Sequence, residues 1–475
     1  MSWVEERDGS FQRDFGDSEY ALFPTSRIAI GDMYLHLIVN APTRYFRPER
    51  VRIAWSLIRR RHPLLMCSVI ADESLPESPR FRFVPPQTTE DALEEAMRAI
   101  RHSEETREEL FSAYMDGPRI LSDERLSFLV ISSQGPQDVH SSEYGIFMCA
   151  PHFLGDGTAL HLTTHELVSL LTSGKADAEL MEELSEPRNW MDALPPSLES
   201  RLRPPASAFG KAACKINYFQ SLSREIGGHR LPRVQRAPKR TLFQEHEFSS
   251  DKTASILARC KANGVTVNHA LVALCNVAWA RCTSQTAELP ILFYTAANLR
   301  PYLAPHTSQS CWFLALAYFT MTFPAFVPSH AKGVWLRAKS AKNQMQAAVR
   351  SPLLPTRALL SAAARSRRSS PSSNFSPPPE NAALPGRPKD SAALFGISLL
   401  GDLDRLYLRK LYGPGVSLVS ISTASRLKEG GFLMLGHTFC GKLALQMYWD
   451  QMGFVEGEIE RFWAQLAMAV DEFLT

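Results

Sequence analysis

Apolar residues recur at helical spacing near the amino terminus of the chain. Val51, Trp55 and Ile58 fall on one face of a segment whose opposite face carries a run of arginines. Pro48 suits the first turn of a helix, where its missing N–H is not needed. The pattern therefore predicts an amphipathic helix that ends near His62.

The apolar pattern then changes to that of strands. Residues 125–132 and 144–150 are short runs of β-branched and aromatic residues, separated by Ser, Gly and Pro. They predict two neighbouring strands. After Gly157 the apolar residues return to helical spacing until Gly174. The stretch PHFLGDG, residues 151–157, therefore lies at a strand-to-helix junction.

The carboxy-terminal part of the chain alternates helices and strands. Two helices over 250–282 are divided by Asn263-Gly264, and an amphipathic helix over 459–470 ends the pattern. Between them, apolar runs predict strands at 291–295, 312–320, 393–399, 416–421 and 431–449. This alternation indicates an α/β protein.

Two segments lack any hydrophobic period. Residues 192–240 are rich in Pro, Arg and Ser, and we interpret them as a crossover linker between a half at 1–191 and a half at 241–475. Residues 365–390 contain six prolines and few large apolar groups. They predict a mobile surface insertion, with a basic docking segment as the alternative.

Composition excludes some classes of protein. A chain of 475 residues that is 45% hydrophobic can bury a large core. Its 52 Lys and Arg residues nearly balance 49 Asp and Glu, and the net charge of +3 is dispersed, so we expect no nucleic-acid partner. The eight cysteines form no C-x-x-C pair, which favours a reducing cytoplasm over disulfides.

Neither a signal peptide nor a membrane span is expected. The first fifteen residues of the sequence are charged throughout and lack an apolar core. The longest apolar run, 311–327, is interrupted by Pro324 and is too short to cross a bilayer. We interpret that run as a buried strand and expect a cytoplasmic protein without a membrane partner.

The PHFLGDG stretch carries the candidate chemistry. A histidine at the exposed end of a strand, here His152, can present its ring to a cavity and act as a general base. Asp156 can bend back under the turn or pair with an arginine, and Gly157 allows a close turn. The alternative is that Asp156 only caps the helix and that His152 is a core histidine.

Other motifs are weaker. His161 and His165 lie one helical turn apart beside Glu166, but the order does not match H-E-x-x-H, so we predict no metal site. GHTFCGKL has Leu443 where a phosphate loop needs Ser or Thr. GISLLG contains Ser398 but lacks the second glycine of a nucleophile elbow, so a serine hydrolase is unsupported.

Five sequence motifs occur in an order that is informative. IAWSLIRRRHPLL, PHFLGDG, ANGVTVNHALVAL, TAANLRP and GISLLGDLD follow one another along nearly the whole chain. Together they resemble the superfamily of BAHD-type acyltransferases and nonribosomal-peptide condensation domains. The resemblance is strongest to fungal secondary-metabolite O-acyltransferases of the trichothecene O-acetyltransferase kind.

This resemblance implies a fold and a site. It implies an α/β fold of two chloramphenicol-acetyltransferase-like halves, with mixed sheets and a tunnel between them. In the resemblance His152 matches the general base, Asp156 a structural aspartate, and Arg300 in NLRP the arginine that pairs with it. Gly157 completes the H-x-x-x-D-G motif. Ser398 matches a substrate-binding position, although Leu399 replaces the family's Asn there.

The resemblance also implies an activity. We expect a monomeric CoA-dependent O-acyltransferase that holds no bound cofactor. It would take acyl-CoA, most simply acetyl-CoA, and transfer a short acyl group to a hydroxyl of a secondary metabolite. One alternative is a stand-alone condensation-like enzyme that uses a carrier-protein thioester or forms an amide, although Pro151 replaces that branch's first histidine. The other alternative is a non-catalytic binding protein. The plant-type D-F-G-W-G motif is absent from the sequence.

Overall fold

A computed structural model describes residues 2–72, 75–134, 141–223, 228–283, 289–326, 331–369 and 393–475. Its helices are α1 Asp17–Tyr20, α2 Phe23–Arg27, α3 Pro48–Arg61, α4 Thr89–Met97, α5 Arg107–Asp116, α6 Gly157–Leu171, α7 Asp177–Ser185, α8 Trp190–Ala193, α9 Leu198–Arg201, α10 Ala208–Ser223, α11 Ser250–Ala262, α12 Val267–Cys282, α13 Ala331–Val349, α14 Leu354–Ser369 and α15 Glu458–Leu474. Its strands are β1 Val4–Glu5, β2 Phe11–Asp14, β3 Met33–Ala41, β4 Ser68–Asp72, β5 Leu75–Phe83, β6 Ile100–Ser103, β7 Phe128–Ser133, β8 Ser142–Ala150, β9 Thr241–Glu247, β10 Ile291–Asn298, β11 Leu316–Phe323, β12 Phe395–Asp402, β13 Ser417–Ser425, β14 Phe432–Phe439 and β15 Lys442–Asp450.

Two large mixed sheets organise these elements. The first has the order β13-β3-β8-β7-β6, and the second has the order β11-β10-β12-β14-β15-β9. Strand β13 comes from the carboxy-terminal part of the chain but pairs antiparallel with β3, so that part completes the first sheet. A smaller sheet has the order β1-β2-β5-β4.

Each large sheet packs its own apolar core. The helix predicted near residue 48 is confirmed as α3, and its Val51, Trp55 and Ile58 are fully buried against the first sheet. The helices predicted over 250–282 are confirmed as α11 and α12. With the predicted terminal helix, now α15, they cover the second sheet. Burial of these apolar faces is what stabilises the two layers.

The predicted single strand at 431–449 is wrong. The chain forms two antiparallel strands, β14 and β15, joined at Cys440 and Gly441. Both turn residues have positive φ, 55° and 74°. Such a two-residue hairpin normally shows Asn-Gly or Gly-Gly in the sequence. Because Cys stands at the first position, the turn is hidden inside an apolar run.

The two aperiodic segments contain more helix than their sequences indicate. Helix α10 lies within 192–240, where Cys214 is its one buried hydrophobic residue among those whose burial is described. Helix α14 continues through residues 365–369, which belong to the predicted insertion, whereas 370–390 lie outside the described residues. The division into halves at 192–240 stays a prediction.

Within the described part of the chain, none of the helices combines the length and the apolarity that crossing a bilayer requires. The predicted buried strand at 311–327 is shorter in the structure, where β11 begins at Leu316. The preceding residues, 311–315, form an irregular connection that becomes part of the candidate site.

Candidate active site

His152 lies in the turn between β8 and α6. Strand β8 is hydrogen-bonded to a neighbour on both sides, β3 and β7, so its end has a fixed position in the sheet. The strand ends at Ala150, and Pro151 carries no N–H that could continue it. His152 therefore lies two residues beyond the end of the strand, with its backbone outside the sheet and not at the strand end as expected. Its half-buried side chain lines a cavity.

One hydrogen bond fixes the proton on the His152 ring. The Nδ1 atom lies 2.9 Å from the carbonyl oxygen of Gly155. A carbonyl oxygen only accepts hydrogen bonds, so Nδ1 must carry the hydrogen and donate it. In the neutral ring the lone pair then resides on Nε2, the nitrogen that a general base uses.

Asp156 serves both of the roles that the sequence left open. It is the N-cap of α6, where its Oδ1 accepts a hydrogen bond from the Ala159 N–H at 3.2 Å. Its carboxylate also pairs with Arg300, whose Nη1 lies 2.9 Å from Oδ1 and 2.8 Å from Oδ2. Oδ2 accepts a further bond from the Ala315 N–H at 3.1 Å. The buried carboxylate thus has its charge and its lone pairs satisfied.

Arg300 connects the start of α6 to the irregular connection before β11. It follows β10 in a short 3₁₀ turn. Its Nη2 donates to the carbonyl oxygens of Cys311 and Phe313, at 3.0 and 3.3 Å. The guanidinium also lies 4.8 Å from the centre of the Phe313 ring. One arginine therefore holds residues 311–315 against the helix that follows His152.

The expected role of Gly157 as a tight-turn residue is wrong. Its φ is not in the left-handed region, and a Cβ there would meet only Leu400 Cδ2, at 3.8 Å. Gly155 is the position that needs a glycine, because a Cβ there would come within 2.6 Å of the buried Trp312 ring. The Trp312 Nε1 atom in turn donates to Thr163 Oγ1 at 2.6 Å. The sequence contains no signal for the contact between Gly155 and Trp312, since 157 positions separate these two residues.

The cavity beside His152 is formed by both large sheets. It measures about 610 Å³. Its lining includes Gly157 and Leu160 from α6, and Ser398 from β12. Most of the other lining side chains are aliphatic or aromatic, and among the described residues no Asp, Glu, Lys or Arg lines it. Asp156 and Arg300 lie outside the lining. Of the predicted site residues, His152, Gly157 and Ser398 therefore line the cavity, whereas Asp156 and Arg300 form an ion pair beside it.

His62 is a buried histidine to which the sequence motifs assign no role, and it contacts the residues at the start of the 311–315 connection. His62 Nε2 lies 2.6 Å from Glu166 Oε2, and Nδ1 lies 3.1 Å from Ser310 Oγ. Burial opposes protonation of this ring, but the Cys311 sulfur and the Glu166 carboxylate outweigh it and raise the pKa of His62 to about 9. Its contacts therefore favour the protonated ring in the folded protein.

His161 and His165, which lie one helical turn apart, each bond to a tyrosine. His161 Nδ1 bonds to Tyr407 Oη at 3.1 Å, and His165 Nδ1 bonds to Tyr412 Oη at 2.7 Å. Burial lowers the pKa of His161 to about 3. Glu166 is engaged by His62 instead. Within the described ranges, no group of three or more His, Cys, Asp or Glu side chains is arranged to hold a metal ion.

The fold has relatives among solved structures, although the sequence has no matching family model and no matching curated protein. The trichothecene 15-O-acetyltransferase of Fusarium sporotrichioides superposes with a TM-score of 0.79 at 14% identity, over 100% of this chain and 98% of that chain. The condensation domain of the monacolin K polyketide synthase gives 0.63 at 12% identity, over 100% and 98%. The epimerization domain from the third module of tyrocidine synthetase B gives 0.61 at 11%, over 98% and 97%.

These comparisons confirm the expected architecture. At such low identity they show the fold alone, and that fold is mixed α/β with two lobes, as the resemblance in the sequence implies. The chain therefore shares its fold with the trichothecene acetyltransferase and with the condensation and epimerization domains.

Proposed function

We propose that the protein is a CoA-dependent O-acyltransferase that moves an acetyl or other short acyl group to a hydroxyl of a secondary metabolite. One observation carries the proposal. His152 lines the cavity that both sheets form, and its Nδ1–H bond to Gly155 leaves the lone pair on Nε2. This is the tautomer that a base needs to accept a proton from an alcohol.

The proposed reaction proceeds through a tetrahedral intermediate. His152 Nε2 removes the hydroxyl proton while the alcohol oxygen forms a bond to the thioester carbonyl carbon. The intermediate collapses with cleavage of the carbon–sulfur bond, and the proton on Nε2 passes to the departing sulfur. The products are an ester and free CoA, and the ring returns to its starting state. General-base help of this kind contributes about 10²- to 10⁴-fold in rate.

The remaining residues would position the base and the substrates. Asp156 and Arg300 hold the first turn of α6, and hence the turn that carries His152. The uncharged lining of the cavity suits an alcohol with a large apolar body, with the CoA phosphates held outside it. Gly157 leaves space beside the base, and Ser398 offers a hydroxyl to a substrate. Both substrates held in one cavity also gain from proximity.

A direct assay tests this proposal. Purified protein would be incubated with acetyl-CoA and a panel of terpenoid and polyketide alcohols. Release of free thiol and the mass gain of one acetyl group on an alcohol would both be followed. The proposal predicts that the two signals rise together, in equal amounts, for at least one alcohol. Binding of the alcohols without transfer would instead support a non-catalytic binding protein.

A further inference from the structure

A second histidine lines the same cavity as His152. His269 lies in the first turn of α12 and is half-buried. It comes from the second sheet's layer, whereas His152 follows a strand of the first sheet. Neither the motifs of the sequence nor the proposed proton transfer gives His269 a role.

The proton on His269 occupies the opposite nitrogen from that on His152. The backbone N–H of Thr266 lies 3.0 Å from His269 Nδ1, and Thr266 Oγ1 lies at the same distance. A backbone N–H only donates, so Nδ1 must be the acceptor and the hydrogen of the neutral ring must be on Nε2. The contact is the reciprocal half of a capping box, which fixes the ring against the helix start.

The surroundings of the ring also disfavour its protonated form. Burial lowers the pKa of His269, and the nearby Lys342 ammonium lowers it further. Lys342 is itself held by the carbonyl oxygen of Gly264, 2.7 Å from Nζ. His269 therefore presents one N–H donor without a positive charge, which suits an uncharged oxygen better than a phosphate or carboxylate.

Two amide side chains accompany this donor. Asn268 is adjacent in α12, and Gln346 lies on α13, which packs against α12. Both line the cavity, and among the described residues neither side chain has a hydrogen-bond partner. Amides both donate and accept, so they complement carbonyl and amide groups on a ligand.

We propose that His269, Asn268 and Gln346 form a wall of the cavity that binds an uncharged carbonyl or amide group of a substrate, with His269 Nε2–H as the fixed donor. This inference rests on the proposed acyltransferase function. The group has two sources, the amide-bearing pantetheine arm of the thioester donor or a carbonyl of the acceptor alcohol. His269 is then a substrate-positioning residue distinct from the base.

Two substitutions separate the donor from the helix cap. His269→Gln keeps a side-chain oxygen for the Thr266 N–H and keeps an amide N–H for the ligand. His269→Ala removes both. Ser249→Ala is a matched control, because it removes the N-cap bond of the neighbouring helix α11 and leaves the cavity intact. Thermal unfolding of each variant would show whether stability falls equally in the alanine variants.

The readouts are the KM for acetyl-CoA, the KM for the best alcohol of the panel, and the Kd for CoA by calorimetry. Loss of a neutral hydrogen bond predicts that His269→Ala raises one KM about 3- to 10-fold, with little change for His269→Gln and none for Ser249→Ala. A rise for acetyl-CoA, with a weaker Kd for CoA, assigns the pantetheine arm. A rise confined to the alcohol assigns the acceptor.

Three results would overturn the inference: both KM values unchanged in His269→Ala, a loss confined to kcat, or an equal loss in Ser249→Ala. A wild-type protein that neither binds CoA nor transfers acetyl would instead contradict the proposed function itself. The two failures are therefore distinguishable.

Discussion

Arg300 and Asp156 form a buried ion pair across 144 positions of sequence, with Arg300 Nη1 within 2.9 Å of both carboxylate oxygens. The side chain of Asp156 is 1% exposed and that of Arg300 is 18% exposed. The same carboxylate caps α6. The pair therefore joins the turn that carries His152 to the connection before β11.

The first prediction concerns this pair. Asp156→Asn keeps an oxygen that caps α6 about as well as the carboxylate does. It removes the counter-charge of Arg300, and breaking a buried pair typically costs about 3 to 5 kcal/mol. Arg300→Met should cost a similar amount, and the double variant should cost clearly less than the sum of the two. Urea unfolding of the four proteins measures this coupling.

The outcome separates the two roles of Asp156. Additive costs would contradict the coupling of the pair. A nearly neutral Asp156→Asn would mean that the helix cap alone accounts for this residue.

The second prediction compares the two glycines of the turn. Gly155→Ala should destabilise the protein by about 1 to 3 kcal/mol, because its Cβ would overlap the buried Trp312 ring. Gly157→Ala has open space and begins a helix, where alanine is favoured over glycine by about 0.5 to 1 kcal/mol. Melting temperatures should therefore shift in opposite directions. A larger loss in Gly157→Ala would contradict the assigned geometry.

The third prediction is a pH dependence that originates at His62. Its folded pKa of about 9 is above its ordinary value of 6.5. The stability that protonation of this ring provides is therefore complete below pH 6.5 and is lost as pH rises towards 9. The charged group that contacts the ring is Glu166, which also pairs with Arg61, and the Cys311 sulfur lies 3.8 Å from Nε2.

His62→Gln is the comparison for that pH dependence. The free energy of unfolding of the wild-type protein should fall more steeply between pH 6.5 and 9 than that of the variant. Because other groups titrate in both proteins, only the difference between the two curves is assigned to His62. Parallel curves would show that this ring is not charged in the folded protein.

Much of the fold can be predicted from the sequence, because a helix that buries one face has apolar residues at regular spacing. Helices α3 and α15 follow their apolar stripes closely. Helix α10 does not, because Cys214 is the one hydrophobic residue on it described as buried. The hairpin between β14 and β15 has no turn signal in the sequence, because Cys440, an unusual residue for a left-handed turn position, replaces the expected Asn or Gly.

The sequence predicts the residues of the site only where they belong to a recognisable motif. A short motif indicates His152 and Asp156, whereas Arg300 is implied only by the resemblance that the order of the motifs carries. The contact of Gly155 with Trp312 and the bond between His62 and Glu166 join segments that no local pattern connects. The donor role of His269 depends on which nitrogen faces the Thr266 N–H, and that follows only from the three-dimensional structure.

Replacement of the His152 side chain examines its proposed role as the general base. His152→Ala should retain the melting temperature of the wild-type protein within a few degrees, because the ring is half-buried and lines a cavity. The measurement is kcat for acetyl transfer from acetyl-CoA to the alcohol that the wild-type protein accepts. If His152 is the base, kcat should fall by about 10²- to 10⁴-fold. A folded His152→Ala protein with wild-type kcat would contradict it.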